Sequence, residues 1–368
     1  MNMKVPFVSL ERQYKEMRNE INEAVQNVLE RGLYVLGPEV DEFEKALANI
    51  CGTSYCATVA NGTDALVIAM KVLGIGPGDE VIVPTNSFVA SAGAVVQTGA
   101  TPVFCDVLDD FNLDASDVEE RITANTKAVM PVHLTGRPAD MPAIKSLARR
   151  YDLYVIEDAA QAIGASLNGI KVGSLGDIAA FSLHPLKNLF VIGDGGFITT
   201  NCPFVYEKIK QFRNHGLIDR NTCASWGMNS RLDTLHCAIG LKKVGVFEDI
   251  TSRFRKVART YQEGLNDVVD VPKERDGMKS VYHNFVIKCD RRDELREFLE
   301  GKGIETKIHY PILLHLQPAA IGLRANRKGF PMAEKLNTMQ LSLPIFPEIT
   351  LHELNYVIDQ ITTFYKRH

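Results

Sequence analysis

A chain of 368 residues, 45% apolar and 23% charged, has material for a large buried core and for more than one domain, which excludes a disordered protein. Its 41 basic and 45 acidic side chains leave a formal charge of -4, with no basic excess for a nucleic-acid backbone. Seven scattered cysteines without a close CxxC pair suit small core thiols in a reducing compartment, not a disulfide framework or a metal centre.

The opening MNMKVPFVSLERQYKEMRNE lacks the apolar run of a secretory leader, so the expected location is the cytoplasm. Apolar positions at Met17, Ile21, Ala24, Val25 and Val28 predict one helix over 11–30. A second is expected from Gly37-Pro38 to Ile50, and NGTDALVIAMKVLG predicts a third from Gly62 to Gly74. The uncharged stretch Val81 to Cys105 is interrupted by Pro, Thr, Asn, Ser and Gln, and reads as strand, loop, helix and strand instead of a membrane span.

Short apolar strands follow one another in DEVIVP, TPVFCDV, TKAVMPVHL and DLYVIED, each with a polar loop and a helix such as Met141 to Arg150 behind it. That alternation predicts an α/β core with a mostly parallel sheet. AAFSL and GGFITT read as two further strands, and a long charged helix is expected over 246–265. Beyond it, SVYHNFVIK and IETKIHY read as strands, RDELREFLEGKG as a helix, and the tail after Ile349 as helical. The expected division is a large domain over 1–250, including the N-terminal helices, and a smaller C-terminal α+β domain over 251–368.

In parallel sheets ligands gather at the carboxyl ends of the strands. There YVIEDAAQAIGA ends a strand with Glu157 and Asp158 and sets Gln161 one helical turn on. A buried carboxylate suits a protonated ring nitrogen, although an acidic pair capping a helix would read the same. Lys187, in AFSLHPLKNLFVIGDGGFIT, is an amine able to form an imine and then to move a proton. Ser182 and the loop 61–64, with Gly62 and Thr63 at a helix start, could hold a phosphate, and Phe88 could cover a ring. Together these elements describe a pyridoxal phosphate site. GDGG at 193–196 has neither the GxGxxG nor the Walker spacing, which disfavours a nicotinamide enzyme.

LGPEVDEFEKALA, NGTDAL, VIEDAAQAIGA, SLHPLKNL, GDGGFITT, GMNSRLDTLHCAIGLKKV, IHYPILLHLQPA and LSLPIFPEIT together resemble the DegT/DnrJ/EryC1/StrS family of sugar aminotransferases, over about residues 8 to 365. The resemblance implies a type I aminotransferase fold with a mostly parallel seven-stranded sheet, pyridoxal 5'-phosphate as cofactor, and a homodimer with shared active sites. It implies that Lys187 binds the cofactor as an imine, Asp158 holds the ring nitrogen, Gln161 supports the ring near its 3-hydroxyl, and Phe88 covers the ring. Thr63, Asp64 and Ser182 would lie at the phosphate, and Asn229 would reach it from the neighbouring subunit. Leu186 stands where the family usually has a hydroxyl residue.

Arg31, Tyr34, His184, His309, Tyr310 and His315 are the substrate-side residues that the resemblance implies, with Arg213 and His215 weaker candidates; each could equally be a packing or surface residue. The implied donor is glutamate and the acceptor a ketosugar. GDGG with NSRLD resembles the branch that aminates C3 of nucleotide-linked 3-keto-6-deoxyhexoses. SLHPLKNL, RNHGL and Trp226 are also similar to members acting on other ketosugars, including an eight-carbon ulosonate of lipopolysaccharide. A dehydratase and a non-catalytic cofactor-binding protein remain open as alternatives, although both Lys187 and Asp158 are present.

Overall fold

The computed structural model describes residues 3–323 and 329–366. Where one N-terminal helix was expected there are two, α1 (Leu10–Glu16) and α2 (Arg18–Arg31). Between them the Met17 N–H bonds Tyr14 O three residues back, while its carbonyl accepts from Ile21 N to start the second helix. Helix α3 (Pro38–Cys51) begins with proline at its first position and ends on Gly52 at φ 63. Those are the favoured residues at the two ends.

The large sheet takes its strands from alternating units: β1 (Tyr55–Val59), α4 (Gly62–Val72), β2 (Glu80–Pro84), α5 (Val89–Thr98), β3 (Thr101–Cys105), α6 (Ala115–Arg121), β4 (Thr126–Val129), α7 (Met141–Tyr151) and β5 (Tyr154–Asp158). A small hairpin, β6 (Ser166–Leu167) and β7 (Ile170–Lys171), precedes β8 (Ile178–Ser182) and β9 (Gly196–Thr200). Among the described residues seven strands join in the order β1-β9-β8-β5-β4-β2-β3. Only β9 runs against the others, antiparallel to both β1 and β8. Val81, Ile82 and Val83 are all buried, as expected of a strand covered by helices on both faces. In TKAVMPVHL the regular strand ends at Val129, since Pro131 brings no N–H to the ladder, and beyond it only an isolated bridge joins Val132 to Asp158.

The chain continues through α8 (Pro203–Phe212), α9 (Thr234–Val244) and α10 (Phe247–Leu265) to β10 (Met278–Lys279), which pairs with β6. Then come β11 (Phe285–Lys288), α11 (Arg292–Gly301), α12 (Pro331–Met339), β12 (Gln340–Leu343) and α13 (Leu351–Lys366). Phe254, Tyr261, Phe285, Leu343, Val357 and Ile361 share a separate core that also takes in Val5. Leu313, Leu314, Phe330 and Leu336 instead pack in the core of the large sheet.

Two expected strands are cut short. SVYHNFVIK is a strand only over its last four residues: Tyr282 sits at φ 48, and Val281 N–H is bonded to Gly136 O. IETKIHY is no strand: Ile304 bridges Val5 in parallel and Lys307 bridges Ser342 antiparallel, each an isolated contact. Beyond the segment, Pro311 has no N–H with which to continue the pairing.

Candidate active site

The loops after β1, β2, β4, β5 and β8 enclose a cavity of about 350 Å³ at the carboxyl ends of the strands. Lys187 enters from a turn closed by its own N–H on His184 O at 2.8 Å. Its amine has no hydrogen bond or ion pair among the described residues. Burial pushes the ammonium down to about 8, with the Asp158 carboxylate pulling the other way. A fraction of the amine is therefore unprotonated near neutrality, as imine chemistry requires.

Successive strand residues point to opposite faces, and that separates the two acids at the end of β5. Glu157 faces away from the cavity and accepts N–H bonds from Gly173, Leu175 and Gly176 at 3.0, 2.9 and 2.7 Å. His133 Nδ1 accepts from Ala139 N at 3.0 Å, so its Nε2 carries the proton and donates to Glu157 at 2.8 Å. Asp158 lines the cavity. Burial raises its pKa, opposed by the Ser91 hydroxyl at 2.7 Å and the Ala160 N–H at 3.3 Å. Ser87 Oγ, on the cavity wall, lies 2.7 Å from Ser91 Oγ, so two hydroxyls in line connect the cavity to the carboxylate.

Gln161 is held at both ends of its amide. Oε1 accepts from Thr135 N at 2.7 Å, and Nε2 donates to the Tyr310 hydroxyl at 3.1 Å. Phe88, half exposed at the mouth, lies 5.6 Å from the Tyr310 ring. Opposite, α4 starts at Asn61, whose side chain caps Asp64 N at 2.8 Å. The N–H groups of Gly62 and Thr63 find no acceptor among the described residues, so this helix start offers free donors to an anion. A Cβ on Gly62 would lie 2.8 Å from Ser182 Cβ, which is why the helix can approach β8 so closely.

Thr63, Phe88, Asp158, Gln161, Ser182, His184, Lys187, His309 and Tyr310 thus line one cavity. The other expected residues lie outside it. Asp64 accepts from Ser230 Oγ at 2.6 Å, and His315 Nδ1 meets Thr85 Oγ1 at 2.6 Å. Arg31 pairs with Glu39, and Tyr34 and Asn229 are exposed on the surface of this chain. Arg213 is buried against Glu44 and Thr58, a structural tie between α3, β1 and α8.

Sequence reasoning passed over His283, Asp194 and the Ser87–Ser91 pair, of which His283, Asp194 and Ser87 line the cavity. His283 falls within a segment whose composition reads as a strand, and the two serines lie in the loop-and-helix part of 81–105 with no motif to mark them. Leu186, noted for the hydroxyl it lacks, also lines the wall.

An unpartnered lysine amine, a buried carboxylate, an aromatic ring and free N–H donors at a helix start fit pyridoxal 5'-phosphate, and the fold and site together define a cofactor-dependent aminotransferase of the type I class. The chain belongs to the DegT/DnrJ/EryC1/StrS aminotransferase family, whose model matches residues 15–362. It superposes with a TM-score of 0.96 and 40% identity on Streptomyces venezuelae DesV, solved in complex with a ketimine intermediate, with 99% of each chain covered. Among relatives of known sequence it is 42% identical to a pleiotropic regulatory protein of Geobacillus stearothermophilus, over 99% of each chain. It is also 41% identical to the dTDP-3-amino-3,6-dideoxy-alpha-D-galactopyranose transaminase of Aneurinibacillus thermoaerophilus, over 98% of this chain and 99% of that one. No described helix is long and apolar enough to cross a membrane.

Proposed function

We propose that this protein transfers the amino group of glutamate to a nucleotide-linked 3-keto-6-deoxyhexose, in the cytoplasm, on a route to a surface polysaccharide or natural-product sugar. The observation that carries the reading is the Lys187 amine, without a partner in a cavity that also holds Asp158 and the open start of α4. Pyridoxal phosphate, when bound, supplies an electron sink for charge developing at the substrate carbon. Asp158 Oδ1 and Oδ2 would hold a proton on the ring nitrogen, and the N–H groups of Gly62 and Thr63, with Ser182, would hold the phosphate. Lys187 Nζ would take a proton from the amino-bearing carbon of the donor and deliver it to the carbon on the far side of that nitrogen, a 1,3-shift, then act in reverse for the sugar. Phe88 and Gln161 would fix the plane of the ring.

The Aneurinibacillus relative is named for a 3-amino-3,6-dideoxyhexose on a nucleotide, and the GDGG and NSRLD wording favours the same carbon. We place His184, His309 and Tyr310 at the sugar, and a domain division near residue 250 over which it would lie. A homodimer accounts for the exposed apolar run Leu33, Tyr34, Val35 and Leu36 and for Trp226, 91% exposed. It would bring Asn229, exposed on its own chain, to the phosphate of the other copy, with Arg31, Tyr34 and His315 nearer the mouth than the chemistry.

The test is a panel of acceptors offered to protein already converted by glutamate. Consumption of a nucleotide-linked 3-ketohexose ahead of the 4-keto isomer and of an eight-carbon ulosonate is the expected order. Preference for either of the others would overturn the substrate.

A further inference from the structure

Two histidines beside Lys187 present opposite faces to the cavity, and the backbone decides which is which. His184 Nδ1 accepts from Leu186 N at 3.3 Å, so its neutral ring carries the proton on Nε2 and offers a donor. His283 is held the other way round. The Asn188 amide is oriented by its Nδ2 donating to Val281 O at 3.0 Å, which turns Oδ1 toward His283 Nδ1 at 3.1 Å. An oxygen there accepts only, so Nδ1 must donate and Nε2 is left with a bare lone pair. Nε2 has no partner among the described residues, and the ring lines the Lys187 cavity.

We infer that His283 is a positioning residue: the Lys187 amine, which shares its cavity without a hydrogen bond in this structure, turns on release from the cofactor to donate to the bare His283 Nε2, and that bond aims the nitrogen lone pair at the reacting carbon. This rests on the reading of Lys187 as the imine-forming residue. Three observations support it. Asn188 adjoins Lys187 in sequence, so the Val281–Asn188–His283 chain of bonds ties the ring to the lysine's own turn. Burial, then the positive charge of Lys187, hold the imidazole well below its ordinary pKa, so it stays a neutral acceptor at working pH. Of the other titratable groups around the amine, Asp158 accepts from Ser91 and Ala160 and is the group that would face the ring nitrogen, the Tyr310 hydroxyl accepts from Gln161, and His309 Nδ1 is engaged with Ser342 Oγ at 2.8 Å. His184 presents a donor, and Asp194 is exposed at the rim. A lysine released from the cofactor would otherwise be free to rotate, and the acceptor removes that freedom at the moment of proton transfer.

Two substitutions separate this role from packing. In His283→Asn the amide sits at the Nδ1 position, keeping the bond to Asn188 and losing the acceptor. In His283→Gln an amide oxygen reaches the Nε2 position. For the Asn variant kcat should fall about tenfold or more with KM for both substrates little changed, and Gln should recover much of that loss. An independent readout is the pH dependence with which cofactor-free protein captures pyridoxal phosphate. Its midpoint, set by the Lys187 ammonium near about 8, should move lower in His283→Asn because the ammonium loses an acceptor, and should return in His283→Gln. An unchanged midpoint and unchanged kcat in His283→Asn would overturn the inference. Capture undiminished in Lys187→Ala would instead overturn the role of the lysine.

Discussion

Ser91→Ala removes one oxygen from a buried site, and its effect can be worked out in advance. The hydroxyl donates to Asp158 Oδ2 at 2.7 Å, and the serine is fully buried, so water does not readily replace it. A hydrogen bond to a charged group contributes about 1.5–3 kcal/mol. At about 1.4 kcal/mol per unit, the loss should raise the Asp158 pKa by about one to two units above its already elevated value. The sign follows from which form would bind: in the proposed role the ionised carboxylate holds the protonated ring, so cofactor affinity should fall as pH drops through the carboxyl pKa. In Ser91→Ala the acid limb of the affinity profile should therefore lie about one to two units higher. Equilibrium dialysis of pyridoxal phosphate against the cofactor-free variant, across pH 4 to 8, reads this directly. Ser87→Ala touches Asp158 only through Ser91 and should give a smaller shift of the same sign. An acid limb in Ser91→Ala that coincides with the native one, in protein that is still folded, would refute the reasoning.

Gly62→Ala should weaken cofactor binding by about tenfold or more, because a Cβ 2.8 Å from Ser182 Cβ forces the start of α4 away from the end of β8. The same substitution at Gly93 within α5, whose Cβ would meet nothing within 4 Å and whose φ, like that of Gly62, is not positive, is the control for the added methyl group. If the sites are shared between two copies, Lys187→Ala and Asn229→Ala chains, each nearly inactive alone, should regain up to about a quarter of native activity when refolded together. That is the share of sites receiving both intact residues. Turnover no greater than that of the separate variants would place Asn229 outside the partner's site.

Much of the α/β core was legible because β-strands buried on both faces leave unbroken apolar runs, as in Val81, Ile82 and Val83. The break at Met17 was not, since the apolar spacing continues across it and only a local change of hydrogen bonding marks it. IETKIHY has a strand's composition, yet pairing depends on what lies beside it, and there it finds only isolated bridges, Ile304 to Val5 and Lys307 to Ser342. Lys187, Asp158 and Gly62 could be singled out because each does something few residue types can do. His283 could not: its value lies in a tautomer fixed by Asn188 and Val281, a bond across 95 positions of sequence that no local pattern carries. Asp64 illustrates the converse. It stands in a motif at a helix start, but its carboxylate turns away to Ser230.

The most direct measurement is the first half of the reaction, made with native protein and Lys187→Ala side by side. Each is loaded with pyridoxal phosphate and given glutamate, and visible absorbance is followed together with the 2-oxoglutarate released. Bleaching in the native protein with about one equivalent of 2-oxoglutarate per chain, and neither change in Lys187→Ala, is the expected result. A native protein that keeps its absorbance and releases no 2-oxoglutarate, or a variant that converts at the native rate, would contradict transamination through Lys187.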